Sequence, residues 1–173
     1  MKLRKNISLA ATVSAIVLTI IGLNFYEQVS ARQTGEEKAV TDVLQQNAAA
    51  FEKGDLTTLD KIWANSKAVT VFENGYANYG WTDYRNNHLA PEMKEMKNIK
   101  YSYSDIKAKV SGNTAWATFK YTISADIGAR HVDSAGLGTA VLEKNKGQWQ
   151  IVHWHSSAPR RAASPSPQPS PKS

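Results

Sequence analysis

Cysteine is missing from this chain altogether. Its absence excludes disulfide bonds, thiolate metal sites and lipid attachment through an N-terminal cysteine. Proline is scarce until the end, where four of the six prolines follow Arg160. No glycine-rich phosphate loop leads into a helix. There is no nucleophile elbow and no internal repeat. A basic core is lacking as well. The chain carries a net charge of +6, but Lys2, Arg4, Lys5 and Glu27 leave +2 in residues 1–31. Arg160, Arg161 and Lys172 leave +3 after residue 159, so residues 32–159 carry only +1. That argues against a nucleic-acid-binding core, which needs a concentrated basic face.

What is present begins with an address. Met1-Lys2-Leu3-Arg4-Lys5 is basic, Ile7 to Leu23 is uncharged, and Val29-Ser30-Ala31 offers small residues for cleavage. Residues 1–31 therefore read as a secretory signal, cut after Ala31, which places the protein in the periplasm or outside the cell. The rival reading is an uncleaved membrane anchor, and seventeen uncharged residues stand at the lower limit of about 17–25 for a span. Only in that case does the membrane become a partner. Residues 160–173, RRAASPSPQPSPKS, bury too little apolar surface to offset their ordering entropy and read as a disordered tail. Residues 32–159 remain as one domain, long enough to hold together by its core.

Within that domain Thr34-Gly35-Glu36-Glu37 has capping-box spacing. Val40, Val43, Leu44 and Phe51 follow at helical spacing, and Gly54 ends the helix. A short second helix carries Leu56, Leu59, Ile62 and Trp63. Ala68 to Glu73 is rich in strand formers, Asn74-Gly75 is a hairpin turn, and Tyr76 to Tyr79 is the return strand. A third helix runs through Tyr84, His88 and Leu89, with Pro91 kinking or restarting it at Glu92. The rest alternates as strands. Between Tyr103 and Ile106 the apolar parity changes, which predicts a bulge. Gly136-Leu137-Gly138 lies within a strand and reads as a bend. Helices first and a long meander after them make an α+β fold, with N-terminal helices packed on a curved antiparallel sheet.

The closing strand, Gly147-Gln148-Trp149-Gln150-Ile151-Val152-His153-Trp154-His155-Ser156-Ser157, resembles that of SnoaL-like proteins of the nuclear transport factor 2-like superfamily. It is also similar to the end of the association domain of calcium/calmodulin-dependent protein kinase II. The first helix ending at Gly54-Asp55, the Val71-Phe72-Glu73 strand and Gly80 before the third helix fit the same pattern. The resemblance covers residues 36–159. It implies a cone-shaped fold with a pocket in the cone, and usually a homodimer. It leaves function open among isomerases, cyclases, dehydratases, ligand binders and assembly modules. The association domain's pocket carries several arginines. One corresponds to Lys120 and the others fall on Ala140 and Ser156, so an anion-binding pocket is largely dismantled here.

His88 is the first candidate for proton transfer, and Glu73, at a strand end, is the carboxylate that desolvation can make basic. His153 and His155, two apart on a strand, share a face and can move protons or hold a metal. A metal needs a third ligand from His88, Glu73 or Glu92; the alternative is that both histidines bond to neighbouring strands or to a partner copy. No cofactor is implied. Trp116, Tyr101, Tyr103 and Trp154 are core residues or the walls of a pocket for a small, mostly apolar molecule. Lys120, on the Trp116 face, is either an anchor for an acidic group or a surface lysine. Three functions remain: a non-catalytic binder of a small molecule, an isomerase or lyase using His88 with Glu73 or His153, and a dimerisation module.

Overall fold

The computed structural model describes residues 34–159, together with Gln28. The tail, the cleavage site and, but for Gln28, the signal segment lie outside the described residues. Helix α1 covers residues 34–53. Val40, Leu44, Ala48 and Phe51 are buried along one side of it, as their spacing requires. Thr34 is already helical, so it is not the cap expected there. The box carboxylate, Glu37, accepts from Lys109 at 3.3 Å, and Glu36 accepts from the Lys144 ammonium at 2.6 and 2.8 Å and from the Trp149 indole at 2.9 Å. Gly54 turns the chain at φ +68°. The Asp55 side chain then caps α2 (Leu56–Ile62) by accepting from the Thr58 amide at 3.0 Å.

Strands β1 (Thr70–Glu73) and β2 (Tyr76–Tyr79) form the expected hairpin, with positive φ at both Asn74 and Gly75. The third helical region has three parts. A short α3 (Trp81–Tyr84) runs into a π-helical turn at Arg85–Leu89 and then into α4 (Ala90–Glu95), with Pro91 in its first turn. The long strands follow: β3 (Met96–Ser111), β4 (Thr114–Ile127), β5 (Arg130–Asn145) and β6 (Gln148–Ser157).

All six strands join one sheet in the order β2-β1-β6-β5-β4-β3. Four of its five pairings are antiparallel, but β1 lies parallel to β6, so the expected antiparallel sheet is a mixed one. Alternation along a strand tells which face a residue takes and not which strand lies beside it. The bulge expected after Tyr103 is present, with Asp105 at φ +52°, and a second one sits at Asn98, φ +53°. A third interrupts the β5–β6 register opposite Val152. Each adds local bend, and together they curve the sheet around the helices.

The core lies between α1, α2 and the inner sheet face. Trp63, Leu44, Leu142 and Ile151 are fully enclosed there. Gly136 and Gly138 do more than bend β5. Gly138 faces Phe119 on β4 and Gly136 faces Tyr121, and a Cβ at either position would run into the opposing ring. The missing side chains make room for two aromatic residues on the inner face. Buried Asn47 of α1 is satisfied on both sides. It donates to the Tyr103 hydroxyl at 3.0 Å and accepts from the Trp63 indole at 2.8 Å.

Candidate functional site

The inner aromatic rings stop short of filling the cone. A cavity of about 390 Å³ remains, walled by Trp63, Tyr101, Tyr103, Tyr121 and Trp154 and bounded at one end by Glu73, His88 and Glu92. That volume is in the range of pockets that enclose small molecules, about 300–1,000 Å³.

Glu73 comes in from the end of β1. Its strand partner Ser156 shares the inner face, and the Ser156 hydroxyl donates to Glu73 Oε1 at 3.2 Å. The Tyr84 hydroxyl donates to Oε2, also at 3.2 Å. The side chain is only 18% exposed, and this burial holds its carboxyl above the ordinary value of 4.5, opposed by the nearby His88 and by donors including Trp154. Glu92 is pushed up too, by burial first and by the Glu73 charge second. The Tyr84 and Tyr101 hydroxyls stay protonated far into alkali because they are buried.

The orientation of His88 follows from a chain of polar contacts. Asp83 accepts from the Asn78 side-chain amide at 3.0 Å and from that of Asn87 at 2.8 Å. A carboxylate only accepts, so Asn78 must turn its Nδ2 to Asp83 and its Oδ1 the other way. That Oδ1 lies 2.9 Å from His88 Nδ1, which therefore carries the hydrogen. Nε2 is left facing the cavity, 3.7 Å from Glu73 Oε2 and 4.0 Å from Glu92 Oε2. A neutral imidazole held this way presents a lone pair between two carboxylates, and it gains a counter-ion on either side if it takes a proton.

Of the residues singled out in the sequence, Glu73, His88 and Glu92 meet at this end, and Tyr101, Tyr103 and Trp154 line the wall. The other four stand elsewhere. His153 and His155 share a face as expected, but it is the outer one, across the sheet from Glu73 and His88. His153 Nδ1 lies 2.6 Å from Thr70 Oγ1 and its ring meets Phe72 edge-on. Among the described residues, no group of three metal-ligating side chains forms around either histidine. Trp116, 47% exposed, is also on the outer face, and so is Lys120, paired with Asp105 at 2.6 Å. The odd-numbered residues of β4 from 115 to 121 are the buried set, which puts 116 and 120 outside. Tyr84 and the role of Ser156 were not read from the sequence. The spacing Tyr84, His88, Glu92, four residues apart each time, was the available signal, since it lines one helical face.

The sequence matches the SnoaL-like domain family over residues 40–161. No curated protein matches it. Several solved structures share its fold. A proposed ketosteroid isomerase from Shewanella frigidimarina is 26% identical, covering 69% of this chain and 94% of its own, with a TM-score of 0.61. A proposed dehydratase of the nuclear transport factor 2-like family from Streptomyces avermitilis is 20% identical, covering 74% and 99%, with a TM-score of 0.67. The association domain of C. elegans calcium/calmodulin-dependent protein kinase II is 16% identical, covering 73% and 98%, with a TM-score of 0.59.

Proposed function

This chain belongs to the SnoaL-like domain family, and we propose that it works outside the cytoplasm as a small-molecule enzyme of isomerase or lyase type, with Glu73 and His88 as its proton-transfer pair. The observation that carries this reading is the placement of Glu73. A carboxylate raised by burial, with an imidazole lone pair 3.7 Å away, lines one end of an aromatic cavity. A base of this kind is both ionisable and strong enough to take a proton from carbon. Structures of like fold described as a ketosteroid isomerase and a dehydratase support the same reaction class.

In the reaction, Glu73 removes a proton from carbon next to a carbonyl. The C–H electron pair moves to the carbonyl oxygen, giving an enolate. The proton returns at a different carbon in an isomerisation. In an elimination, the electron pair instead expels a leaving group, which takes its proton from the site. His88 Nε2 exchanges protons with Glu73 in either case. The Asp83–Asn78 contact keeps Nδ1 protonated, so Nε2 is the atom that gains and loses the proton.

Incubation with a small β,γ-unsaturated cyclic ketone in D₂O tests this reading. The expected result is deuterium incorporation and migration of the double bond, seen by NMR, with Glu73→Gln slowing both by about 10²-fold or more. Absence of exchange in the unaltered protein, or equal rates in Glu73→Gln, refutes it. The reading of a non-catalytic binder then takes its place, since the cavity does not depend on turnover.

A further inference from the structure

We propose that the molecule held in this cavity carries a protonated amino group, which the Glu92 carboxylate receives at the rim. The inference rests on the cavity being a binding site, as in the function proposed above, and not on the proton transfer itself. Three observations lead to it. The first is charge. Glu73 and Glu92 face the cavity, the only titratable cation beside them is His88, and no lysine or arginine lines it among the described residues. Even with His88 protonated, the two carboxylates leave a negative interior when ionised. An anionic ligand meets repulsion there.

The second observation is that Glu92 has no donor. Glu73 accepts from Tyr84 and Ser156, whereas the Glu92 carboxylate accepts no hydrogen bond from any described residue, and its nearest cationic group is His88 at 4.0 Å. Its side chain is only 35% exposed, and burial together with the Glu73 charge holds its proton affinity up. A half-buried carboxylate without a donor gains most from a charged N–H donor supplied by a ligand.

The third is the setting. Glu92 and His88 line both the cavity and a depression on the outer side of α4, so they stand where the two meet. Inward of them lie the aromatic residues Tyr84, Tyr101, Tyr103, Trp63 and Trp154. Aromatic faces behind a carboxylate suit an ammonium on an apolar body, because the ring quadrupole and the carboxylate attract the same charge. With the amino group on Glu92 at the rim, the apolar body extends past Glu73 and His88, where the proposed reaction occurs.

Three probes of one shape separate charge from fit: benzylamine, benzyl alcohol and benzoate, titrated by calorimetry into the purified chain at neutral pH. Benzylamine is expected to bind at least about tenfold more tightly than benzyl alcohol, with benzoate weakest. Glu92→Gln should remove that advantage, bringing benzylamine down to about the affinity of benzyl alcohol for the same variant. Glu92→Lys should place benzoate ahead of benzylamine, and near-native circular dichroism of both variants should show that they fold. Benzyl alcohol or benzoate binding as tightly as benzylamine overturns the amine but leaves the cavity and its ketone chemistry standing. Failure of all three to bind at millimolar concentration overturns the amine as well, and deuterium exchange then judges the proton-transfer reading on its own. An unchanged benzylamine affinity in Glu92→Gln overturns the role of Glu92.

Discussion

Glu73 couples folding to the site. Its folded proton affinity exceeds the ordinary value of 4.5, so between that value and the raised one the folded chain binds more protons than the unfolded chain. Stability from this group therefore falls as pH rises through the interval, the reverse of a salt-bridged carboxylate. Glu73→Gln abolishes the effect. In urea unfolding, the variant should gain on the unaltered protein as pH rises from the ordinary carboxyl value of 4.5 towards neutrality, and a constant difference would contradict the burial argument. His153 acts in the opposite direction. Burial and the neighbouring His155 lower its affinity below the ordinary 6.5, so the folded chain binds fewer protons there. Its contribution is present above 6.5 and declines as pH falls through that value towards the lowered one. His153→Gln should flatten the stability profile just below neutral pH without affecting ketone exchange, because the side chain lies on the outer face.

At the scale of elements, the π-helical turn and the paired glycines build the cavity. Tyr84 from α3, His88 from the turn and Glu92 from α4 all reach the cavity end, although a π-helical turn between two α-helical segments carries them. The rings of Phe119 and Tyr121 lie over Gly138 and Gly136 on the adjacent strand. Gly138→Ala should destabilise the fold by about 1–3 kcal/mol through overpacking, read from urea unfolding, because its Cβ meets a buried ring and not a free surface. Asp55→Ala should cost about 1 kcal/mol in the same measurement, through loss of the cap on the Thr58 amide. These elements also mark what the sequence displayed. The Asn74-Gly75 turn, the Gly54 stop and the parity change before Ile106 are local signals, and each lies where its chemistry puts it. The Thr34 box does not form because Thr34 is itself helical, and the box carboxylate, Glu37, accepts instead from Lys109, 72 residues away.

Among the described residues, no helix covers the outer sheet face. Trp116, Leu137 and Phe72 are exposed on it, at 47%, 63% and 36%. We propose this face as the contact between two copies. Sedimentation should then report a dimer, and Trp116→Glu with Leu137→Glu should give monomers that still bind the cavity probes. The export address is testable at the same scale: N-terminal sequencing of the protein recovered outside the cytoplasm should begin at residue 32, whereas an intact Met1 would mean an anchored pocket.

Composition and local pattern by themselves determined the α+β class, the order of helices and strands and the near-neutral core, and they named Glu73 and His88 among the candidates. Each of these depends on charge count, on periodicity or on turn chemistry within a few residues. Only the tertiary structure decided that β1 lies parallel to β6, that His153, His155, Trp116 and Lys120 face outward, and that Tyr84, Ser156 and Glu92 complete the site. A strand's period tells that two residues share a face. Which face becomes the inner one depends on where the helices pack, and that is settled by contacts between segments far apart in the chain.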